Sequence, residues 1–330
     1  MNSFGKIFKV SIYGESHGIQ IGAVIDGCPA GMTLSEEDFK EDLSRRMAGA
    51  KGTTPRTEPD IPRIVSGVYK GKTTGAPIAV IFENTNIKSE DYADLKDQPR
   101  PGHADFTGHN KFGGYNDPRG GGHFSGRLTL CIVAAGVIAK KIISPSKVRA
   151  SLIEAGGSTD IKNAVDKALE EKDSIGGIIE CRCSEIPIGL GEPFFDSVES
   201  LISHMIFSIP ATKGIEFGSG FASAGMKGSE HNDAIMDDTG KTKTNYAAGI
   251  NGGISNGNEI VFRVAIKPAS SISIPQDTYN FKSEKVEPLE IKGRHDVCIA
   301  LRAPVVVECV TAIALADLML ISQIRPKIFT

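Results

Sequence analysis

The chain has 330 residues, 40% of them hydrophobic, and a formal net charge of −3, a globular composition with no overall charge to draw it to nucleic acid or an anionic membrane. Cys28, Cys131, Cys181, Cys183, Cys298 and Cys309 are scattered without a C-x-x-C pair; they read as reduced, buried thiols, with a metal on Cys181 and Cys183 as the alternative. The opening MNSFGKIFKV enters a strand pattern with no secretory leader, so a cytoplasmic protein is expected.

In chain order, alternation or short apolar runs predict strands over 7–13 and 21–26. Ser35 and Asp38 then form a capping-box pattern opening a helix to Arg46, followed by strands over 64–69 and 77–83. A helix is predicted over 126–142, and Thr159-Asp160 opens another in IKNAVDKALEEK. A strand over 177–183, a helix over 197–206, a strand over 259–266 and a helix over 304–321 complete the series. The apolar run 305–323 carries Glu308 and Asp317, which favours a buried helix over a membrane span. This mixed order fits neither an all-α bundle nor a repeating βαβ chain. Between the elements lie long polar, glycine-rich loops at 49–62, 84–119 and 226–258, a length that is usually functional or disordered.

Several polar segments could carry chemistry. GESHG (Gly14 to Gly18) matches the G-x-S-x-G nucleophile elbow, but that elbow needs a strand, a turn and a helix, whereas a second strand follows here. Ser16 and His17 therefore belong to a hairpin connection, read as a hydrolase nucleophile, a plain turn or another kind of site. In RPGHAD, His103 stands between glycine and acid in a polar loop, suited to acid–base work or simply solvated. DPRGGGHFSGR (Asp117 to Arg127) runs toward a helix; glycines before a helix N-terminus expose N–H groups to an anion, so a phosphate site and a closely packed glycine loop are the two readings. Arg45, Arg46, Lys51 and Arg56 form a basic set that suits a small polyanion or a helix C-terminus. The stretch 248–275 offers backbone donors and hydroxyls at a strand end, and KGRHDVC places His295 beside Asp296 before the last helix.

Together these segments resemble chorismate synthase. GESHGIQIGAVIDGCP from Gly14, GHFSGRLTLCIVAAGVI from Gly122 and RHDVCIALRAPVVVECV from Arg294 carry the likeness, with RPGHAD between the first two, and it spans Gly5 to about Leu320. The resemblance implies an α/β fold of the α+β type, a β-α-β sandwich in one catalytic domain over 1–330, assembled as a homotetramer. It further implies anti-1,4-elimination of phosphate from 5-enolpyruvylshikimate 3-phosphate to give chorismate, the last step of the shikimate pathway, with reduced FMN beside the substrate and NADPH as a candidate reductant. By the same resemblance His17 is the acid near the departing phosphate, His103 protonates or stabilises the reduced flavin, and Asp296 assists removal of the ring proton. Arg46, Lys51, Arg100, Arg127 and Arg294 are implied as anion clamps. Flavin contacts are implied at His123, Phe124, Ser125, Asn232, Gly253, Lys267, Pro268, Ala269, Ser270 and Ser271, and again at Arg294. His123-Phe124 stands where many relatives carry Arg-Ser. Competing readings are a serine hydrolase built on Ser16 and a non-catalytic flavin- or phosphate-binding module.

Overall fold

The computed structural model describes residues 2–54, 58–85, 97–291 and 295–324. The first half contains β1 (Ser3–Phe4), β2 (Lys9–Gly14), β3 (Gln20–Asp26), α1 (Lys40–Arg46), β4 (Arg63–Ser66), β5 (Val68–Tyr69), β6 (Lys72–Thr73), β7 (Ile78–Glu83), α2 (Asp105–Lys111) and α3 (Thr129–Ile142). Next come β8 (Lys147–Ala155), α4 (Ile161–Glu171), β9 (Gly177–Ser184), α5 (Val198–Ile206), β10 (Thr212–Phe217) and α6 (Gly228–His231). The remainder holds β11 (Ile250–Asn251), β12 (Ile254–Ser255), β13 (Ile260–Ile266), β14 (Gln276–Asn280), β15 (Lys285–Leu289) and α7 (Pro304–Ile324).

Two antiparallel sheets dominate, ordered β1-β2-β3-β7-β4 and β10-β13-β9-β8. An antiparallel sheet needs only one covered face, and here helices cover both inner faces. Helix α3 lies on β2, β3 and β7, α7 lies on β8 and β9, and the two helices pack on one another, with α5 against α7 and β10. The result is the β-α-β sandwich of the α+β class. The inward residues of β3, Ile21, Ala23 and Ile25, and of β9, Ile179, Cys181 and Cys183, are fully buried and join one continuous core through α3 and α7.

The caps read from the sequence at Ser35 and Asp160 are in place, and Ser197 adds a third. Asp38 accepts the Ser35 N–H at 2.8 Å, Asp160 accepts from Asn163 N at 3.2 Å, and Ser197 accepts from Ser200 N at 3.0 Å, each satisfying an N–H that the first helical turn leaves over. Cys181 lies beside Cys183 and faces Glu308 and Thr311 of α7, and burial drives its thiol well up, which disfavours the thiolate a metal would need.

Helix α7 is long and apolar enough to cross a membrane, yet 89% of its apolar window is buried inside the protein. Its two acids each have partners. Asp317 accepts the backbone N–H groups of Lys6, Ile7 and Phe8 at 2.8–2.9 Å. Glu308 accepts both Nη groups of Arg45 at 2.7 Å, Lys140 Nζ at 2.8 Å and Ala150 N at 2.9 Å. The close approach of α3 to α7 depends on Gly136, where an added Cβ would lie 2.2 Å from Cys309 Cβ and 2.6 Å from its Cα. Neither helix can yield without shifting backbone, so Gly136→Ala should destabilise the protein by about 3 kcal/mol, the upper end for overpacking, read as a lower midpoint in denaturant unfolding.

Candidate active site

Three loops are folded against each other by glycine. The hairpin joining β2 to β3 carries Ser16 and His17, and Ser16 N donates to Gly122 O at 3.0 Å, tying that hairpin to the glycine run of Asp117 to Arg127. Gly120, Gly121 and Gly122 have φ of +60°, +82° and +53°, a left-handed series in which any side chain is strained. Each glycine also lies against a specific neighbour. A Cβ on Gly120 would meet His17 Nε2 at 2.7 Å and Ser16 Oγ at 2.9 Å, while one on Gly121 would meet His103 Cε1 at 3.4 Å. The run therefore packs between the two predicted histidines. It does not enter α3 directly, because three left-handed residues cannot continue into a right-handed helix; a 3-10 turn over Gly126–Leu128 intervenes, capped by Ser125 Oγ. This corrects the expectation of a glycine loop feeding the helix N-terminus.

A cavity of about 830 Å³ opens beside these loops, toward the top of the range of roughly 300–1,000 Å³ found for small-molecule sites. His103, His123, Phe124, Ser125, Arg46, Arg127 and Asp296 line it, together with the run Lys267, Pro268, Ala269, Ser270 and Ser271 that follows β13. Ile132 of α3, Met205 of α5, Val306 of α7 and Ile209 give it an apolar wall. Arg302, Glu58 and Asp60, which the sequence reading did not single out, line it as well.

The charges are arranged in pairs. Arg127 donates Nε to Asn84 Oδ1 at 3.0 Å, pairs through Nη2 with Glu58 at 3.0 Å, and binds Asp60 through Nη1. Asp60 also accepts Arg46 Nη1 at 3.2 Å, and Arg46 donates Nε to Thr129 Oγ1 at 2.9 Å and Nη2 to Gly126 O at 3.1 Å. Burial pulls the Arg46 guanidinium down to about 10; Asp60 opposes the pull while Arg302 and Arg127 add to it, and the group remains a cation at neutral pH. Asp296 accepts Thr54 N at 2.9 Å and Arg302 Nη2 at 2.6 Å. Among the described lining residues, Arg46, Arg127, Arg302 and Lys267 thus face Glu58, Asp60 and Asp296, leaving a cationic excess before any ligand enters. Lys267 Nζ is held by Gly102 O at 2.7 Å and Ser270 Oγ at 2.8 Å, not by a carboxylate, and burial, with Lys213 adding, lowers its ordinary value.

Other predicted residues lie away from the wall. His17, 4% exposed, sits behind Gly120. Arg100 is buried and turned to Asp105, His103 and Ser271. Lys51 is an exposed ion-pair partner of Asp166 on α4 at 2.6 Å. Asn232 caps the C-terminus of α6, and Gly253 sits in the β11–β12 turn, its carbonyl accepting Val198 N at 2.9 Å. Arg56 and Arg294 lie outside the described residues. Ser16 is fully buried in a strand-to-strand connection, so the exposed serine of a hydrolase elbow is absent here.

A large, partly apolar cavity with paired arginines and an imidazole on its wall, set in an α+β fold, has the form of a small-molecule site. The family profile described as Chorismate synthase matches residues 8–320. The Chorismate synthase of Chitinophaga pinensis is 61% identical over 330 residues, covering 100% of this chain and 99% of the relative. That of Dehalococcoides mccartyi strain BAV1 is 44% identical over 359 residues, with 99% of each chain covered. A crystal structure of chorismate synthase superposes with a TM-score of 0.74 at 26% identity, covering 97% of this chain and 93% of its own. The chain belongs to the chorismate synthase family, whose members are lyases of the shikimate pathway.

Proposed function

We propose that the chain converts 5-enolpyruvylshikimate 3-phosphate to chorismate by anti-1,4-elimination of phosphate, with reduced FMN bound beside the substrate. The observation that carries the reading is the convergence of His103, Arg46, Arg127, Asp296 and the 267–271 run on one cavity of about 830 Å³. The residues present fit a flavin: a flat ring with a charged tail calls for an apolar wall, here Ile132, Met205, Ile209 and Val306, and for cationic and hydroxyl donors, here Lys267, Ser270 and Ser271. In this proposal Phe124, Ser125 and the 267–271 run hold the cofactor. Reduced FMN, when bound, supplies the electron-rich partner that an unactivated ring C–H and a departing phosphate require.

The remaining tasks fall to side chains. Arg46, through its cation and its seat at the end of α1, holds a substrate anion. His103 holds or yields a proton at Nε2, and His17, behind Gly120, is the acid for the phosphate. Asp296, fixed by Arg302 and Thr54 N, assists the ring proton on its way out. Asn232 and Gly253 remain proposed flavin contacts, Arg294 a proposed contact to both ligands, and Lys51 and Arg100 proposed anion clamps on resemblance alone. Arg46→Ala should raise KM for the substrate about 10- to 100-fold, as expected when a charged hydrogen-bond donor is lost; an unchanged KM would reduce Arg46 to a helix end.

The continuous core through both sheets supports one catalytic domain. Phe194, Phe195 and Phe221, 87%, 93% and 87% exposed, support subunit contacts of the proposed cytoplasmic homotetramer. The deciding experiment is anaerobic phosphate release from 5-enolpyruvylshikimate 3-phosphate with chemically reduced FMN. No product would overturn the reading. Product in a second arm, with oxidised FMN and NADPH, would assign NADPH as the reductant.

A further inference from the structure

We propose that Asp105, clamped by Arg100, is a positioning residue that fixes the tautomer of His103, so that Nδ1 carries a proton and Nε2 is the nitrogen left for exchange with a ligand. This rests on the proton-handling role proposed above for His103.

His103 Nδ1 lies 2.6 Å from Asp105 Oδ1 and 2.9 Å from Arg100 Nη2. A guanidinium can only donate and an ionised carboxylate can only accept, so the ring nitrogen cannot satisfy both. The Asp105 contact is the shorter, and Arg100 Nη2 already donates to the same Oδ1 at 2.8 Å. An unprotonated Nδ1 would set its lone pair against a carboxylate oxygen; a protonated one donates to it. Nδ1–H therefore belongs to Asp105. The other ring nitrogen, Nε2, lies beside Gly121, where an added Cβ would sit 3.5 Å from it, and His103 lines the cavity.

Arg100 makes the arrangement rigid. Its Nε donates to Asp105 Oδ2 at 2.7 Å, its backbone N to the same oxygen at 3.1 Å, and its Nη1 to Ser271 Oγ at 3.1 Å. Burial works against the Asp105 charge, but hydrogen bonds from Arg100 and His103 outweigh it and hold the carboxyl well below the usual carboxylate range. Asp105 thus stays ionised and orients the imidazole without taking its proton. The chain of contacts runs from Ser271, on the wall that would hold the cofactor, through Arg100 and Asp105 to His103.

The test is the ring-nitrogen NMR spectrum of the full-length, ¹⁵N-histidine-labelled protein, with His103→Ala used to assign the His103 signals. The wild type should show His103 in the Nδ1–H form, and Asp105→Ala and Asp105→Asn should lose it. In steady-state assays both variants should lower kcat by on the order of a hundredfold while changing KM little, since orientation of an acid–base group and not substrate binding is lost. An Nε2–H form in the wild type would overturn the proposal, as would Asp105 variants that keep both the Nδ1–H signature and wild-type kcat. Should both variants fail to fold, the wild-type spectrum still decides. His103→Ala separates the two claims: full turnover in it removes the proton-handling role, whereas the spectra decide the positioning.

Discussion

Replacing His103 by Ala is expected to lower kcat by on the order of a hundredfold or more, the contribution of a positioned acid–base group, without unfolding the protein. The fold should survive because the Arg100–Asp105 pair it leaves behind remains closed on itself, with two Arg100 side-chain contacts of 2.7 and 2.8 Å and a third from the Arg100 backbone. His103 also belongs to the cavity wall rather than to the core formed by α3, α7 and the two sheets. Single-turnover phosphate release under anaerobic conditions, with reduced FMN in excess, measures the chemical step free of product release. Circular dichroism on the same sample checks the fold. A variant that keeps wild-type turnover, or one that unfolds, would remove His103 from the site.

The second large effect is on stability. Glu308→Ala should destabilise the protein by about 3 kcal/mol, the lower end for removing one partner of a buried ion pair, because Arg45 keeps some access to water while Lys140 and Ala150 N lose a buried acceptor. The pH dependence follows from the direction of the shift. Burial works against the Glu308 charge, but Arg45 and Lys140 outweigh it and hold the carboxyl below its ordinary 4.5. The unfolded chain therefore takes up this proton first on acidification. The stabilisation is complete above the ordinary value and is lost as pH falls through the folded one. Denaturant midpoints of wild type and Glu308→Gln should differ at pH 7 and draw together as the pH falls below 4.5; a gap independent of pH would mean that packing, not charge, is what Glu308 contributes.

Much of the frame was legible because its elements have covered faces. β3 and β13 lie inside their sheets, and their alternation announces them; α4, α5 and α7 carry apolar stripes, or in α7 an apolar surface all round, behind recognisable caps or breaks. In the two main sheets the strands that escaped, β1, β8 and β10, are all edges, where a strand pairs on one side only and polar residues are tolerated; the short pairs β11–β12 and β14–β15, and β6, escaped as well. Helix α2 escaped for a different reason. It carries Gly108 in its interior and no apolar period, and Gly108 is in close contact with the ring of Phe124.

The site divides in the same way. GESHG, RPGHAD and the 117–127 run stood out because clustered glycine, histidine and arginine do not suit a core. Their partners did not, since Arg127 finds Asp60 from 67 positions away and Arg46 finds Thr129 from 83, and nothing local marks such pairs. Arg100 stood out in the sequence but its orientation did not; only the fork closing on Asp105 shows which way it faces.

Asp317 ties the fold to the order in which the chain is made. It grips the N–H groups of Lys6, Ile7 and Phe8 from about 310 positions downstream. At roughly 5–20 residues per second, a ribosome delivers that carboxylate about 15–60 s after the segment it secures. Through that interval β1 and β2 lack the anchor that fixes the bend between them, although α3, the helix that lies on their sheet, is already made. The bend between the first two strands is consequently among the last parts of the fold to be fixed.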